Sequence, residues 1–190
     1  MLQTPSKNLT LKEFLKLPET KPSSEYRDGK ITQKPILKGK HSTIQTELST
    51  YINQILKPQQ TAWAFSELRC TFAGKSIVPD VSVFAWNKIP CDENGEIADT
   101  FPLAPDWIIE ILSPDQSRTK VTKNILHCLK DRTQMGWLID PHEQSIFVYL
   151  PNQLPEVFDN QEAILPTPIF ANNLQLSIGD IFQWLIKVDR

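Results

Sequence analysis

The sequence predicts one α/β domain, with a central mixed β-sheet flanked by helices and with a helix and a hairpin at its N-terminal end. Three observations carry this reading. Helical periodicity is confined to a few separated segments. Between them lie short apolar, β-rich runs bounded by Pro, Gly and Asn. The 190 residues suffice for one substantial core, and no repeat or linker divides them, so 1–190 is read as a single domain.

Residues 1–8 read as a loose end. Thr10 with Glu13 three positions on has capping-box spacing, and Leu11, Phe14, Leu15 and Leu17 form the apolar side of a short helix that Pro18 and Pro22 end. Residues 25–33 carry Asp28-Gly29 between two short extended pieces, a hairpin signal. Ile44, Leu48, Tyr51, Ile52, Ile55 and Leu56 recur at helical spacing and predict a helix over 40–57. Past Pro58 the pattern turns to strands at 61–67 and 68–72, a turn at Gly74-Lys75-Ser76, and a strand over 77–86. A polar, Pro-interrupted connection over 87–105 leads to a buried strand at 106–112. Val121, Ile125, Leu126, Cys128 and Leu129 predict a helix over 119–132, and strands follow at 136–140 and 145–150. Residues 155–158 and 164–170 are read as an edge pair, and 181–188 as a final amphipathic helix.

A formal charge of −2 does not suggest a general nucleic-acid coat, but the charge is uneven: nine Lys and Arg against four Asp and Glu make the first forty residues basic. A basic first quarter can steer a polyanion toward an acidic site, although a solvated lysine-rich surface reads the same way. Cys70, Cys91 and Cys128 match neither a zinc spacing nor a disulfide framework, which fits a reducing compartment. The sequence has no apolar signal region and no membrane-length run, so a cytoplasmic protein is expected.

Asp80, in Val-Pro-Asp-Val-Ser-Val-Phe, and Glu110, in Trp-Ile-Ile-Glu-Ile-Leu-Ser-Pro, sit on apolar runs. A carboxylate within a buried strand is costly unless its charge is compensated. Two on neighbouring strands can share a magnesium ion, with the backbone carbonyl of Ile111 and a phosphate oxygen as further ligands. Spacing alone leaves another reading open: Asp80 caps a turn after Pro79, and Glu110 pairs with a lysine. A lysine two residues after Glu110 would complete a nuclease pattern, but that position is Leu112. The candidates are Lys120 and Lys123, which helical spacing places on a shared face. Leu112-Ser113-Pro114 lacks the glycines of a phosphate-holding loop. His41 opens the long helix, where it either hydrogen-bonds substrate or a water beside the metal or faces solvent. Trp107, Trp137, Phe84 and Trp86 read as core.

Across nearly the whole chain, six pieces in order carry a resemblance. They are Leu-Thr-Leu-Lys-Glu-Phe-Leu at 9–15, Glu-Tyr-Arg-Asp-Gly at 25–29, His41 opening a helix, Val-Pro-Asp-Val-Ser-Val at 78–83, Trp-Ile-Ile-Glu-Ile-Leu-Ser-Pro at 107–114, and Gly-Trp-Leu-Ile-Asp-Pro at 136–141. Together they resemble the bacterial Putative restriction endonuclease family of the PD-(D/E)XK nuclease superfamily. The resemblance implies a restriction-endonuclease-like fold and a metal-dependent endodeoxyribonuclease using Mg2+, with Mn2+ able to substitute. It implies Asp80 and Glu110 as the paired acids and a catalytic lysine moved onto the next helix, at Lys123, with Lys120 as the alternative. Many relatives carry an acid four residues before that lysine, where this chain has Thr119. Glu25 matches a recurrent family glutamate, either near the metal or fixing the hairpin. DNA is the expected partner and a homodimer the expected assembly, since cutting both strands needs two sites. The rival expectations are a DNA-binding or assembly module with little turnover, and a hydrolase of smaller phosphoesters.

Overall fold

A computed structural model of the chain describes residues 9–114 and 116–187. The expected loose end at 1–8 and the last residue of the expected final helix lie outside them. The capping box forms: the Thr10 hydroxyl accepts from Glu13 N, and Glu13 reaches back to Thr10 N. It starts α1 (Leu11–Phe14), which buries Phe14. The hairpin is β1 (Ser24–Arg27) and β2 (Lys30–Gln33), and its turn sets Asp28 at φ 48° and Gly29 at φ 82°. Both angles are left-handed, as Asp-Gly hairpin turns require.

The long helix α2 (Gly39–Leu56) follows, then β3 (Ala62–Ser66), β4 (Cys70–Phe72), β5 (Lys75–Ile77) and β6 (Val81–Ala85). Next come β7 (Trp107–Ile111), α3 (Arg118–Leu129), β8 (Met135–Asp140), β9 (Ser145–Tyr149), β10 (Glu156–Phe158) and α4 (Ile178–Gln183). The strands form two sheets. One is four-stranded, in the order β2-β1-β5-β4; the other is six-stranded, in the order β10-β9-β8-β7-β6-β3. In the larger sheet β7 and β8 run parallel, joined by α3 as the crossover, and the other pairs are antiparallel.

The larger sheet is the middle layer. Alternation along β7 sends Trp107, Ile109 and Ile111 toward α2 and α4, and Ile108 toward α3 and the smaller sheet. Glu110 shares parity with Ile108 and so faces α3. A twelve-residue helix such as α3 is marginal alone, and tertiary packing holds it. Burial of Val121 and Ile125, at 1% and 0% exposure, contributes about 1.5–3 kcal/mol for each side chain. Gly136 on β8 permits the close approach: a Cβ there would collide with Ile125 Cγ2.

Four expectations change. The strand expected over 77–86 is two strands in different sheets, and Val78-Pro79-Asp80 is the link between them. Pro79 has no N–H to offer a ladder, which suits the crossing. The turn expected at 74–76 is tighter, so Lys75 and Ser76 pair in β5. Glu156–Phe158 pairs with β9, while Ile164 makes one bridge to Ser177, so no 155–158 with 164–170 pair forms. The last helix starts at Ile178, because Ser177 and Asp180 form a capping box. Trp107, Trp137 and Phe84 are fully buried as expected; Trp86 is half-buried and stacks on Trp63 at 5.8 Å.

Candidate active site

The crossing between the sheets positions Asp80. Its backbone carbonyl accepts from Gln45 Nε2 at 2.8 Å and from Glu67 N at 3.1 Å, which anchors the link to α2 and to the chain after β3. Its side chain is 0% exposed. Oδ2 accepts the Ile111 backbone N–H at 2.7 Å, and Oδ1 accepts from Lys34 Nζ at 2.5 Å. His41 Nε2 lies 3.3 Å from the same Oδ1 without forming a regular hydrogen bond. The other ring nitrogen, Nδ1, meets Ser113 Oγ at 3.1 Å. Burial opposes ionisation of Asp80. The Lys34 ammonium and the His41 ring together outweigh it and hold the carboxyl well below the usual carboxylate range.

Glu110 reaches the site from β7 and is 1% exposed. Its Oε1 accepts from Asn124 Nδ2 at 2.9 Å. The same amide donates to Glu25 Oε1 at 3.2 Å, so Asn124 joins two acids. Glu25 also accepts from Val78 N at 3.0 Å and from Arg27 Nη2 at 2.8 Å. Burial pushes the Glu110 carboxyl well above its ordinary value, and the neighbouring Asp80 and Glu25 charges add to this; Lys34 and Asn124 oppose it. Without a bound cation, Glu110 therefore retains its proton more readily than an ordinary glutamate.

The two helix lysines differ in position. The buried stripe of α3 is Val121, Asn124, Ile125 and Cys128. Lys120 flanks that stripe, half-buried, with Nζ 3.5 Å from the Gln33 carbonyl oxygen. Burial lowers its pKa, while the nearby Glu25 and Glu110 charges pull the other way. Lys123 falls nearly opposite the stripe, is exposed, and makes no hydrogen bond or ion pair among the described residues. The shared face expected from their spacing is thus split, and Lys120 is the lysine turned toward the acids.

The structure brings Asp80, Glu110, Glu25 and His41 into one buried cluster with Lys34, Asn124 and Gln45, which the sequence motifs do not single out. For Asn124 and Gln45 a signal exists: each is a polar residue inside an apolar helical stripe. Lys34 gives none, being one of many lysines in a basic segment.

Among the described residues, no three His, Cys, Asp or Glu side chains form a ready-made metal cage. The oxygen donors instead suit a hard cation that keeps several waters, as magnesium does. Asp80, Glu110 and Glu25 are buried together, with Lys34 paired to Asp80 and Arg27 to Glu25, and the Asn124 Oδ1 atom is buried without a hydrogen-bond partner. Glu110, which has no cationic partner within ion-pair distance among the described residues, and the unsatisfied Asn124 acceptor fit a divalent ion held by Asp80, Glu110 and the Ile111 carbonyl. A cavity of about 850 Å³ adjoins the cluster at His41 and Ser113, rimmed by Lys38, Lys40, Arg118 and His142. Among the described residues no helix is long and apolar enough to cross a membrane.

Comparison with known proteins agrees with this architecture. No curated protein matches the chain. The chain is similar to a crystal structure described as a putative nuclease belonging to DUF820 from Anabaena variabilis. The two share 65% sequence identity and a TM-score of 0.93, over 94% of this chain and 99% of that one. The restriction-endonuclease-like fold expected from the sequence is therefore present. The family model Uma2, Putative restriction endonuclease, matches residues 11–179. The chain belongs to the Uma2 family, whose members are described as Putative restriction endonucleases.

Proposed function

We propose that the chain is a Mg2+-dependent endodeoxyribonuclease that hydrolyses DNA phosphodiester bonds, with Mn2+ able to replace Mg2+. The observation that carries this is the convergence of Asp80, from the link before β6, and Glu110, from β7, on one buried cluster with Glu25. Asp80, Glu110 and the Ile111 carbonyl would hold the ion, which when bound supplies Lewis-acid polarisation of a phosphate and acidifies a water. To Lys120 this reading gives the role of orienting that water and stabilising charge growing on the phosphate oxygens, in preference to Lys123, because Lys120 is half-buried beside the acids and Lys123 is exposed. Asn124 fixes the Glu110 rotamer. Lys38 and Lys40 on the rim of the adjoining cavity, where Arg118 is paired with Asp140, would meet the DNA backbone on its way to the acids. A homodimer would supply the two sites needed to cut a duplex.

The test is plasmid cleavage by the pure protein with Mg2+, with Mn2+ and with chelator. The proposal expects nicking or linearisation that depends on the divalent ion and disappears in Asp80→Asn. Equal cleavage by wild type and a folded Asp80→Asn protein contradicts the assignment.

One observation favours a second reading, a nuclease-fold DNA-binding module with little turnover. Lys34 already neutralises Asp80 without an ion. That module would bind DNA equally with and without Mg2+.

A further inference from the structure

Lys34 is the one buried lysine among the described residues. It follows β2 directly, and its side chain is 5% exposed. Nζ donates to Asp80 Oδ1 at 2.5 Å and to the Val78 carbonyl at 2.9 Å. The buried Glu110 charge also acts on it, and its second ion-pair contact is Glu67 Oε1 at 3.5 Å, on a side chain that is 38% exposed.

A buried ammonium carries a desolvation cost that a neutral donor would largely avoid. Glu110 is served by such a neutral donor, Asn124, yet Asp80 is given a full positive charge. With two N–H groups committed to Asp80 and Val78, and Glu67 as the next contact, Lys34 is poorly placed to approach substrate. Its partner Asp80 is also the acid read as a metal ligand. A divalent ion arriving there brings two positive charges against the ammonium, and only the contact to Glu67 leads toward solvent.

We propose that Lys34 is the resident cation of this site, a positioning residue that holds Asp80 in place until a divalent ion binds and then yields toward Glu67. The proposal rests on the reading of Asp80 and Glu110 as metal ligands. It predicts that metal binding is opposed by a competitor built into the chain, and that metal-free protein depends on Lys34 for order at Asp80.

The test is calorimetric titration of the full chain with Mn2+, in wild type, Lys34→Met, Glu67→Gln and Asp80→Asn. Lys34→Met removes the competing charge and is expected to bind Mn2+ about tenfold tighter or more. Glu67→Gln, which removes the second anchor, is expected to bind about two- to threefold more weakly; affinity equal to wild type removes Glu67 from this role. A Lys34→Met protein that is folded by circular dichroism and binds no tighter than wild type overturns the role of Lys34. A measurement on wild type does not depend on that variant folding. The buried Lys34 ammonium resonance in 15N-lysine protein is expected to shift on saturation with Mg2+, and an unmoved resonance overturns the proposal. The two readings fail separately. If wild type binds Mn2+, Asp80→Asn does not, and Lys34→Met binds no tighter, only the Lys34 role falls. If neither wild type nor Lys34→Met takes up Mn2+, the metal site itself falls.

Discussion

The Asp80 carboxylate accepts the backbone N–H of Ile111 at 2.7 Å. The β6–β7 pairing runs out with Val81 opposite Ile109, so two residues further on Ile111 would face Pro79 rather than a strand partner. The carboxylate takes that place in the ladder. One bond thus ties together two of the groups proposed to hold the ion, the Asp80 side chain and the Ile111 peptide. It also makes Asp80 a structural as well as a chemical residue.

Asp80→Asn should therefore do more than remove cleavage. It leaves the Lys34 ammonium buried without its counter-charge, a change that costs about 3–5 kcal/mol when one partner of a buried pair is lost. Urea unfolding should show this loss. Adding Lys34→Met to Asp80→Asn should recover part of the stability without restoring cleavage. An Asp80→Asn protein as stable as wild type would mean that the pair is not coupled as the structure has it.

The opposed shifts of Asp80 and Glu110 predict how stability varies with pH. The folded Glu110 carboxyl titrates above its unfolded value, so its contribution is complete below the unfolded glutamate range and is lost as pH rises toward the folded pKa. The folded Asp80 carboxyl titrates below its unfolded value, so its contribution is present above that value and is lost in strong acid. Metal-free wild type should be most stable in mild acid, with Tm falling as pH rises above the ordinary glutamate range. Glu110→Gln should flatten that fall, and saturating Mn2+ should reduce it by holding Glu110 ionised. A Tm profile identical in wild type and Glu110→Gln would show that Glu110 is not the group responsible.

Lys120 and Lys123 should separate kinetically. Lys120→Met should lower kcat for DNA cleavage about a hundredfold, the order expected for a lost transition-state charge contact. Lys123→Met, at an exposed position, should stay within about twofold of wild type. The reverse ranking in single-turnover assays would move the catalytic role to Lys123.

Gly136 sets the distance between α3 and the sheet. Gly136→Ala would place a Cβ against Ile125 Cγ2, one residue from Asn124. The overpacking should cost about 1–3 kcal/mol. Because Asn124 holds Glu110, it should also weaken Mn2+ binding, which calorimetry of the folded variant would read. Lost stability with unchanged Mn2+ affinity would show that α3 does not need this close approach to support the site.

Elements with strong local signals are legible in the sequence. Helix α2 has an apolar stripe over many turns, the hairpin has Asp28-Gly29, and α1 has its Thr10 and Glu13 capping box. The division of strands between two sheets is not legible there: Pro79 can mark a break in the run 77–86, but nothing local says that the two pieces join different sheets. The capping box at Ser177 and Asp180 is present in the sequence, but the apolar residues after it draw the expected helix start too late. At the site, the acids on their apolar runs stand out, whereas their partners arrive from distant segments. Lys34 lies 46 positions from Asp80, and Asn124 lies 99 from Glu25. Asn124 interrupts the apolar stripe of α3, and a polar residue in such a stripe marks where a buried charge needs a donor.

The most direct test is a crystal of the protein soaked in Mn2+, with an anomalous difference map. The expected map has one ion coordinated by the carboxylates of Asp80 and Glu110 and by the Ile111 carbonyl, with the Lys34 ammonium withdrawn from Asp80. A map at saturating Mn2+ with no peak between Asp80 and Glu110, and with Lys34 still bonded to Asp80, would contradict the metal-site assignment.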